Sequence, residues 1–191
     1  MTSAQDDTNA VETRSCFPDM CDLLRDFGAM TEKVKAMERR LEESENEILE
    51  LKNKEETKVI FSAAIGEGRI YVGPFNTDRT LIYRRVIVNI GNAYNKATGI
   101  FTAPVSGVYY FNIFYHTGGL HGAYLWIFKN SQPMVQTGDH KSSTDPNDNG
   151  GNSVFLQLQP GDHVYVRLFA RTWVWGSDYT TTFSGFLVTP M

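Results

Sequence analysis

The chain has 191 residues, 41% of them hydrophobic, with two cysteines and 22 acidic side chains against 18 basic ones. This length holds one substantial domain plus an appendage. The net charge of −4 lacks the strongly basic footprint of a nucleic-acid binder. No run approaches the ~18 consecutive apolar residues of a membrane-spanning helix.

Charge and aromatic content both divide the chain near residue 56. Residues 1–56 carry 15 acidic and 8 basic side chains, a balance of −7, and only two aromatics, Phe17 and Phe27. Residues 57–191 carry 7 acidic and 10 basic ones, a balance of +3, with the other 22 of 24 aromatics. Three segments are expected: a flexible polar tail over 1–15, a cysteine-bearing stalk over 16–56 and a globular head over 57–191. The opening residues are small, polar or acidic and hold no apolar signal core, so a secreted form would have its leader outside this sequence.

From Met20 onward apolar residues recur at alternating steps of three and four. Met20, Phe27, Val34, Leu41 and Ile48 fall at heptad position a. Leu23, Met30, Met37, Ser44 and Leu51 fall at d, so only Ser44 interrupts an apolar seam. Lys33 at g faces Glu38 at the next e, Arg40 faces Glu45, and Glu47 faces Lys52, as a parallel coiled coil requires to set its register. A single amphipathic helix packed on the head is the competing reading, and the g-to-e pairing argues against it. Val34 and Ile48 at a lean toward two strands, while Phe27 and the methionines blur that rule.

Cys16 and Cys21 bracket a short segment at the start of the stalk. A metal or redox pair is one reading, but no other Cys exists and the first His is His116, leaving too few ligands. Interchain disulfides in an oxidising compartment are the better reading.

After residue 57 the pattern shifts to period two, with strands expected over 58–65, 80–90, 99–103, 107–117, 123–129, 134–137, 153–159, 163–170 and 180–189. Many short strands with no helical pattern between them mean an all-β sandwich or barrel. Several are apolar on both faces: Tyr109, Phe111 and Ile113 alternate with Tyr110 and Phe114, and Phe183 and Leu187 alternate with Phe186 and Val188. A second apolar face needs a cover, and another copy of the head is the economical one. Wide strand bends are the alternative.

Residues 83–113 resemble the complement C1q globular domain, through Asn89, Tyr94, Phe101, Gly107, Tyr109 and Phe111. Tyr83 stands where Phe is usual and Ile113 where an aromatic is usual. The opening Ile60-Phe61-Ser62-Ala63, the turn Pro160-Gly161-Asp162 and the closing run with Phe183, Gly185 and Phe186 extend the resemblance across 57–191. It implies a ten-strand jelly roll of the tumour-necrosis-factor type that assembles as a homotrimer, overriding the stalk's lean toward a dimer. No Gly-X-Y repeat is present, so the chain looks more like the non-collagenous cerebellin type and the secreted C1q-like proteins.

Enzymatic motifs are missing: no phosphate-cradling glycine loop, no HExxH, no G-x-S-x-G, no Cys in the head, and scattered His116, His121, His140 and His163. A non-enzymatic protein needing no cofactor is expected. Calcium binds some relatives through acidic residues flanking the strand at 123–129. Here Gly122 and Asn130 stand at those places, and Asp139, Asp145 and Asp148 are the remaining carboxylates nearby. The polar stretch 138–152 reads as a variable recognition loop. Arg171, Trp173 and Trp175 read as ligand contacts, with rim packing of the tryptophans as the alternative. Arg69, Arg79, Arg84, Arg85, Arg167 and Arg171 are candidate contacts to anionic surfaces.

Fold does not fix function, and three functions fit: a soluble innate-immune protein binding microbial or damaged-cell surfaces, a cerebellin-like or cytokine-like ligand that clusters a cell-surface receptor, or a structural extracellular protein. The non-collagenous stalk and mildly basic head favour the first.

Overall fold

The structure, a computed structural model, describes residues 19–66, 68–144 and 147–191. The expected tail over 1–15, Cys16 and Asp145 lie outside these residues. The chain falls into two units that divide between Lys52 and Asn53.

Apart from Asp19, the described part of the first unit lies within one helix, α1 (Met20–Glu56). At 1.5 Å per residue it is about 55 Å long. Asp19 caps it, its Oδ1 accepting a hydrogen bond from the Cys21 backbone N–H at 3.0 Å. Ion pairs Asp22–Arg25 and Glu32–Lys35 at 2.9 and 3.0 Å decorate its surface. Such exposed pairs stabilise a helix by only about 0.3–0.5 kcal/mol each.

The second unit holds thirteen strands among the described residues. They are β1 (Ile60–Ala64), β2 (Ile70–Val72), β3 (Arg79–Thr80), β4 (Arg85–Ile90), β5 (Tyr94–Asn95), β6 (Ile100–Thr102) and β7 (Gly107–Gly118). Then follow β8 (Ala123–Lys129), β9 (Gln132–Asp139), β10 (Asn147–Leu158), β11 (His163–Leu168), β12 (Val174–Gly176) and β13 (Thr182–Pro190). Two antiparallel sheets pack face to face as a jelly-roll-like sandwich. Sheet one runs β2-β12-β7-β13-β1-β4, with β10 on the other edge of β7; sheet two runs β5-β6-β11-β8-β9, with β3 on β11.

The aromatic residues that carry the C1q resemblance meet in the core between the sheets. Phe61 stacks on Tyr94 at 4.9 Å between ring centroids and on Phe101 at 5.3 Å, and meets Phe183 edge-on at 4.9 Å. Phe111 meets Phe101 edge-on at 5.1 Å. Each such pair adds about 0.5–1.5 kcal/mol beyond the burial of its area. Asn89 closes the turn that delivers Tyr94: its Nδ2 donates to Tyr94 O at 2.9 Å and its Oδ1 accepts from Tyr94 N at 3.2 Å. Tyr94 in turn donates its hydroxyl to Tyr83 O at 2.9 Å. Gly185 is a packing glycine, since a Cβ there would stand 2.6 Å from Phe111 Cδ1 and 2.8 Å from Phe61 Cε1.

Three expectations change. The stretch 80–90 is not one strand: β3 ends at Thr80 and β4 starts at Arg85, with buried Leu81 and Tyr83 between them. The short strands β2, β5 and β12 were not expected, because two or three residues carry no readable period. The expected recognition loop at 138–152 is mostly strand. All twelve residues of β10 pair with β7, from Asn147↔Gly118 to Leu158↔Gly107. Its Gly, Asn and Asp residues have poor strand propensity, but Gly150 and Gly151 admit close neighbours: a Cβ would lie 2.6 Å from the Tyr115 hydroxyl and 2.5 Å from Ile113 O, respectively.

Candidate functional site

Along α1 the expected seam residues are solvent-exposed in the single chain, from 47% at Val34 to 69% at Phe27. Isolated helices gain most of their stability from packing an apolar face, and this face has no partner within the helix. Cys21 lies exposed in the first turn of α1 as a free thiol.

The outward face of sheet one is organised in rows set by strand register. Phe155 on β10 pairs with Tyr110 on β7, Tyr110 with Phe186 on β13, Phe186 with Ile60 on β1, and Ile60 with Ile90 on β4. Register partners point to the same side of a sheet, so these five form one apolar line across five strands. Phe155 is 64% exposed, and the Tyr110 ring lies 5.0 Å from Phe155 and 5.5 Å from Phe186. Two residues further along β7 the row turns polar, with Ser153, Asn112, Ser184 and Ser62 in register and the two hydroxyls of Ser62 and Ser184 2.8 Å apart.

At the far end of β7 a third row closes the face. Here β12 succeeds β13 along the same edge, placing Tyr71, Trp175, His116 and Asn149 in register across β2, β12, β7 and β10. A cleft of about 490 Å³ opens over Tyr71, Trp175 and His116 of this row, bordered also by Arg69, Asn147, Asp178 and Tyr179. Tyr71 stacks on Trp173 at 4.2 Å and meets Trp175 edge-on at 4.5 Å. The Arg85 guanidinium lies 4.9 Å from the Tyr179 ring centroid and pairs with the Asp178 carboxylate at 3.5 Å.

Of the expected ligand contacts, Trp173 is buried at 8% exposure, with its Nε1–H donated to Gly118 O at 3.0 Å, and so is a packing residue. Trp175 reaches the cleft. Arg171 is exposed, holds a positive φ of 63°, and donates its backbone N–H to Phe75 O at 2.8 Å outside the cleft. Sequence reasoning missed Tyr71 and Tyr179, which only register and chain folding bring to Trp175.

The arginines do not form one patch. Arg167 lies over the Phe128 ring at 4.6 Å on the outward side of sheet two, where Phe128 stacks on Tyr165 at 5.6 Å. Arg85 is paired on sheet one, and Arg69 borders the cleft.

At the expected calcium flank, Asn130 is committed to a turn. Its Nδ2 donates to Asp162 at 3.0 Å and its Oδ1 accepts from His163 N at 2.9 Å. Asp162 also accepts from Gln159 N and pairs with Lys129 at 3.1 Å. The Asn130 bond foremost, then that from Gln159, lowers the Asp162 carboxyl to about 2. Among the described residues no three His, Cys, Asp or Glu side chains cluster as a metal site would.

Comparison with known proteins agrees with this architecture. The globular domain of zebrafish complement 1qA superposes with a TM-score of 0.56 at 21% identity, covering 70% of this chain and 100% of that one. Eiger TNF from S. frugiperda gives a TM-score of 0.56 at 13% identity, covering 71% of this chain and 95% of that one. In sequence, complement C1q tumor necrosis factor-related protein 6 of Rattus norvegicus is 35% identical over 114 residues, 57% of this chain and 43% of the relative. The Mus musculus protein of the same name is likewise 35% identical, with 42% of its length covered. The chain thus spans less than half the length of these relatives. The model of the C1q domain matches residues 60–188, and the chain belongs to the C1q-domain family.

Proposed function

We propose that the protein is a secreted, homotrimeric recognition protein of innate immunity, which binds microbial or damaged-cell surfaces multivalently through its C1q-like head. The observation that carries this reading is the apolar row Phe155–Tyr110–Phe186–Ile60–Ile90, left open on a soluble domain. Burying apolar surface contributes roughly 25 cal/mol per Å², and a second copy of the same head supplies a matching surface. The unpartnered seam from Met20 to Leu51 supports the same assembly, with α1 as a parallel three-stranded stalk within a 16–56 oligomerisation segment. Cys16 and Cys21 would seal it by interchain disulfides, which places the protein outside the reducing cytosol. Linking three weak sites raises avidity by roughly 10²–10⁴ where target spacing allows, which suits a surface of repeated epitopes.

A second reading, a cerebellin-like or cytokine-like ligand that clusters a cell-surface receptor, is supported by the 35% identity to a tumor necrosis factor-related protein. Light scattering of the purified chain tests the shared element: a trimer has about 65 kDa, three times the 21.6 kDa chain. Binding of that oligomer to lipopolysaccharide, to anionic and neutral liposomes and to receptor ectodomains separates the two readings. A monomer in solution, or equal retention on neutral and anionic surfaces, overturns the immune-recognition reading.

A further inference from the structure

We infer that the cleft at the far end of β7 binds a pyranose sugar bearing an anionic substituent. The inference gives the recognition reading above a ligand class, and rests on it only in taking the head as a binding module.

The row Tyr71–Trp175–His116–Asn149 crosses four strands. The three of these residues that line the cleft, Tyr71, Trp175 and His116, span roughly 10 Å at about 4.8 Å between neighbouring strands, the scale of one or two sugar rings. Its two ends differ in chemistry. The Tyr71 end is aromatic and held rigid: Tyr71 is backed by buried Trp173 at 4.2 Å and braced by Trp175 at 4.5 Å, yet stays 53% exposed. A fixed, half-exposed ring is a surface against which the C–H face of a pyranose buries apolar area without ordering a flexible side chain.

The His116 end is polar and paired for hydroxyls. His116 Nδ1 and Asn149 Oδ1 lie 2.8 Å apart, which fixes the orientation of the ring. Beside it the cleft wall carries Asn147, Ser177 and Thr180, whose amide and hydroxyl groups can both donate to and accept from sugar hydroxyls.

Charge selects among sugars. Asp178 is paired with Arg85. Arg69 is exposed at the cleft and forms no ion pair or hydrogen bond among the described residues. An unpaired guanidinium beside an aromatic platform favours a carboxylate, phosphate or sulfate on the ligand, which it engages with a two-pronged hydrogen bond. Tyr179, 81% exposed and carrying Arg85 at 4.9 Å, borders the opening. A volume of about 490 Å³ lies within the ordinary range of small-molecule sites.

The test uses the full chain. Intrinsic tryptophan fluorescence and saturation-transfer NMR are followed on titration with glucuronic acid, glucose 6-phosphate and glucose, alongside a polyuronate and lipopolysaccharide. Saturable binding is expected for the two anionic sugars, at least tenfold tighter than for glucose. Arg69→Ala should erase that preference, and Trp175→Ala should erase binding. Tyr179→Ala removes so exposed a ring that folding is undisturbed, and should weaken binding severalfold. Preference for glucuronic acid over glucose 6-phosphate identifies carboxylate as the substituent, and the reverse identifies phosphate. Should the oligomer bind lipopolysaccharide while Trp175→Ala and Tyr179→Ala bind it equally well, the cleft inference falls and the recognition reading survives. Should the wild-type chain bind no sugar, polymer or surface, both fall.

Discussion

Replacing Tyr83 by Phe should make the head more stable. Tyr83 is fully buried, and its hydroxyl has no hydrogen-bond partner. Burial foremost, with Tyr94 beside it, pushes its phenol well above the ordinary value. A buried hydroxyl without a partner costs about 1–3 kcal/mol in protein mutational data. Deleting the oxygen leaves a void of roughly 10–15 Å³, which at ~24 cal/mol per Å³ costs about 0.3 kcal/mol. The net gain is about 0.7–2.7 kcal/mol, or some 2–8 °C in Tm for a unit the size of Asn53–Met191. Tyr94→Phe is the matched control. Its hydroxyl donates to Tyr83 O at 2.9 Å and accepts from Tyr83 N at 3.2 Å, so its loss strands buried backbone groups and should cost about 1–3 kcal/mol. Calorimetry at one fixed protomer concentration reads both, because an oligomer's Tm moves with concentration. A drop in Tm for Tyr83→Phe would mean that a buried water satisfies the hydroxyl, and would refute the reasoning.

Gly185→Ala should destabilise the head by about 1–3 kcal/mol through overpacking, since its Cβ would meet Phe111 at 2.6 Å and Phe61 at 2.8 Å; an unchanged denaturation midpoint would show that the rings yield freely. Asp162 is lowered from 3.8 to about 2, so its contribution is present above pH ~4 and is lost as pH falls toward 2. Acid titration of Asp162→Asn should lack that component, and identical acid-unfolding curves would count against the turn network. Phe155→Asp places a charge in the open row of sheet one and should lower the oligomer mass by light scattering while near-ultraviolet circular dichroism stays native; an unchanged mass would move the self-association surface elsewhere. On a non-reducing gel, chain made in an oxidising compartment should run above 21.6 kDa, and Cys21→Ser should shift that pattern.

The helix was legible because its signal is local, a heptad that repeats every seven residues from Met20. The long strands were legible through period-two alternation. The second half of β10 was expected as strand at 153–159, but its first half, 147–152, was not, because Gly150, Gly151 and three asparagines read as loop; it is strand because β7 lies alongside. The tryptophans show the same limit. Trp173 and Trp175 stand two apart, yet one is buried beneath Tyr71 and the other faces the cleft; neither fate can be read until β12 and its pairing with β2 are known. The cleft row joins Tyr71 to Asn149 through two intermediate strands, a juxtaposition made by topology and not by any local pattern.

The residues that place the chain in its family and those of the proposed assembly row and cleft occupy alternate positions of the same strand. Along β7, Tyr109, Phe111, Ile113 and Tyr115 point inward and are buried. Together with Tyr83, Tyr94, Phe101 and Phe183 they build an aromatic core that any jelly roll of this kind can share, so their pattern identifies the fold and carries no information about a ligand. The intervening residues Tyr110, Asn112, Phe114 and His116 point outward and change in character along the strand, from the apolar row, through the serine–asparagine row and then half-exposed Phe114, to the cleft. An outward residue is free to change without disturbing the core, because successive side chains of a strand belong to opposite faces. If the proposed assembly row and cleft act as argued above, the even-numbered residues of β7 and their register partners carry both. Exchanging those positions between C1q-like chains should transfer assembly and ligand preference while leaving the fold intact.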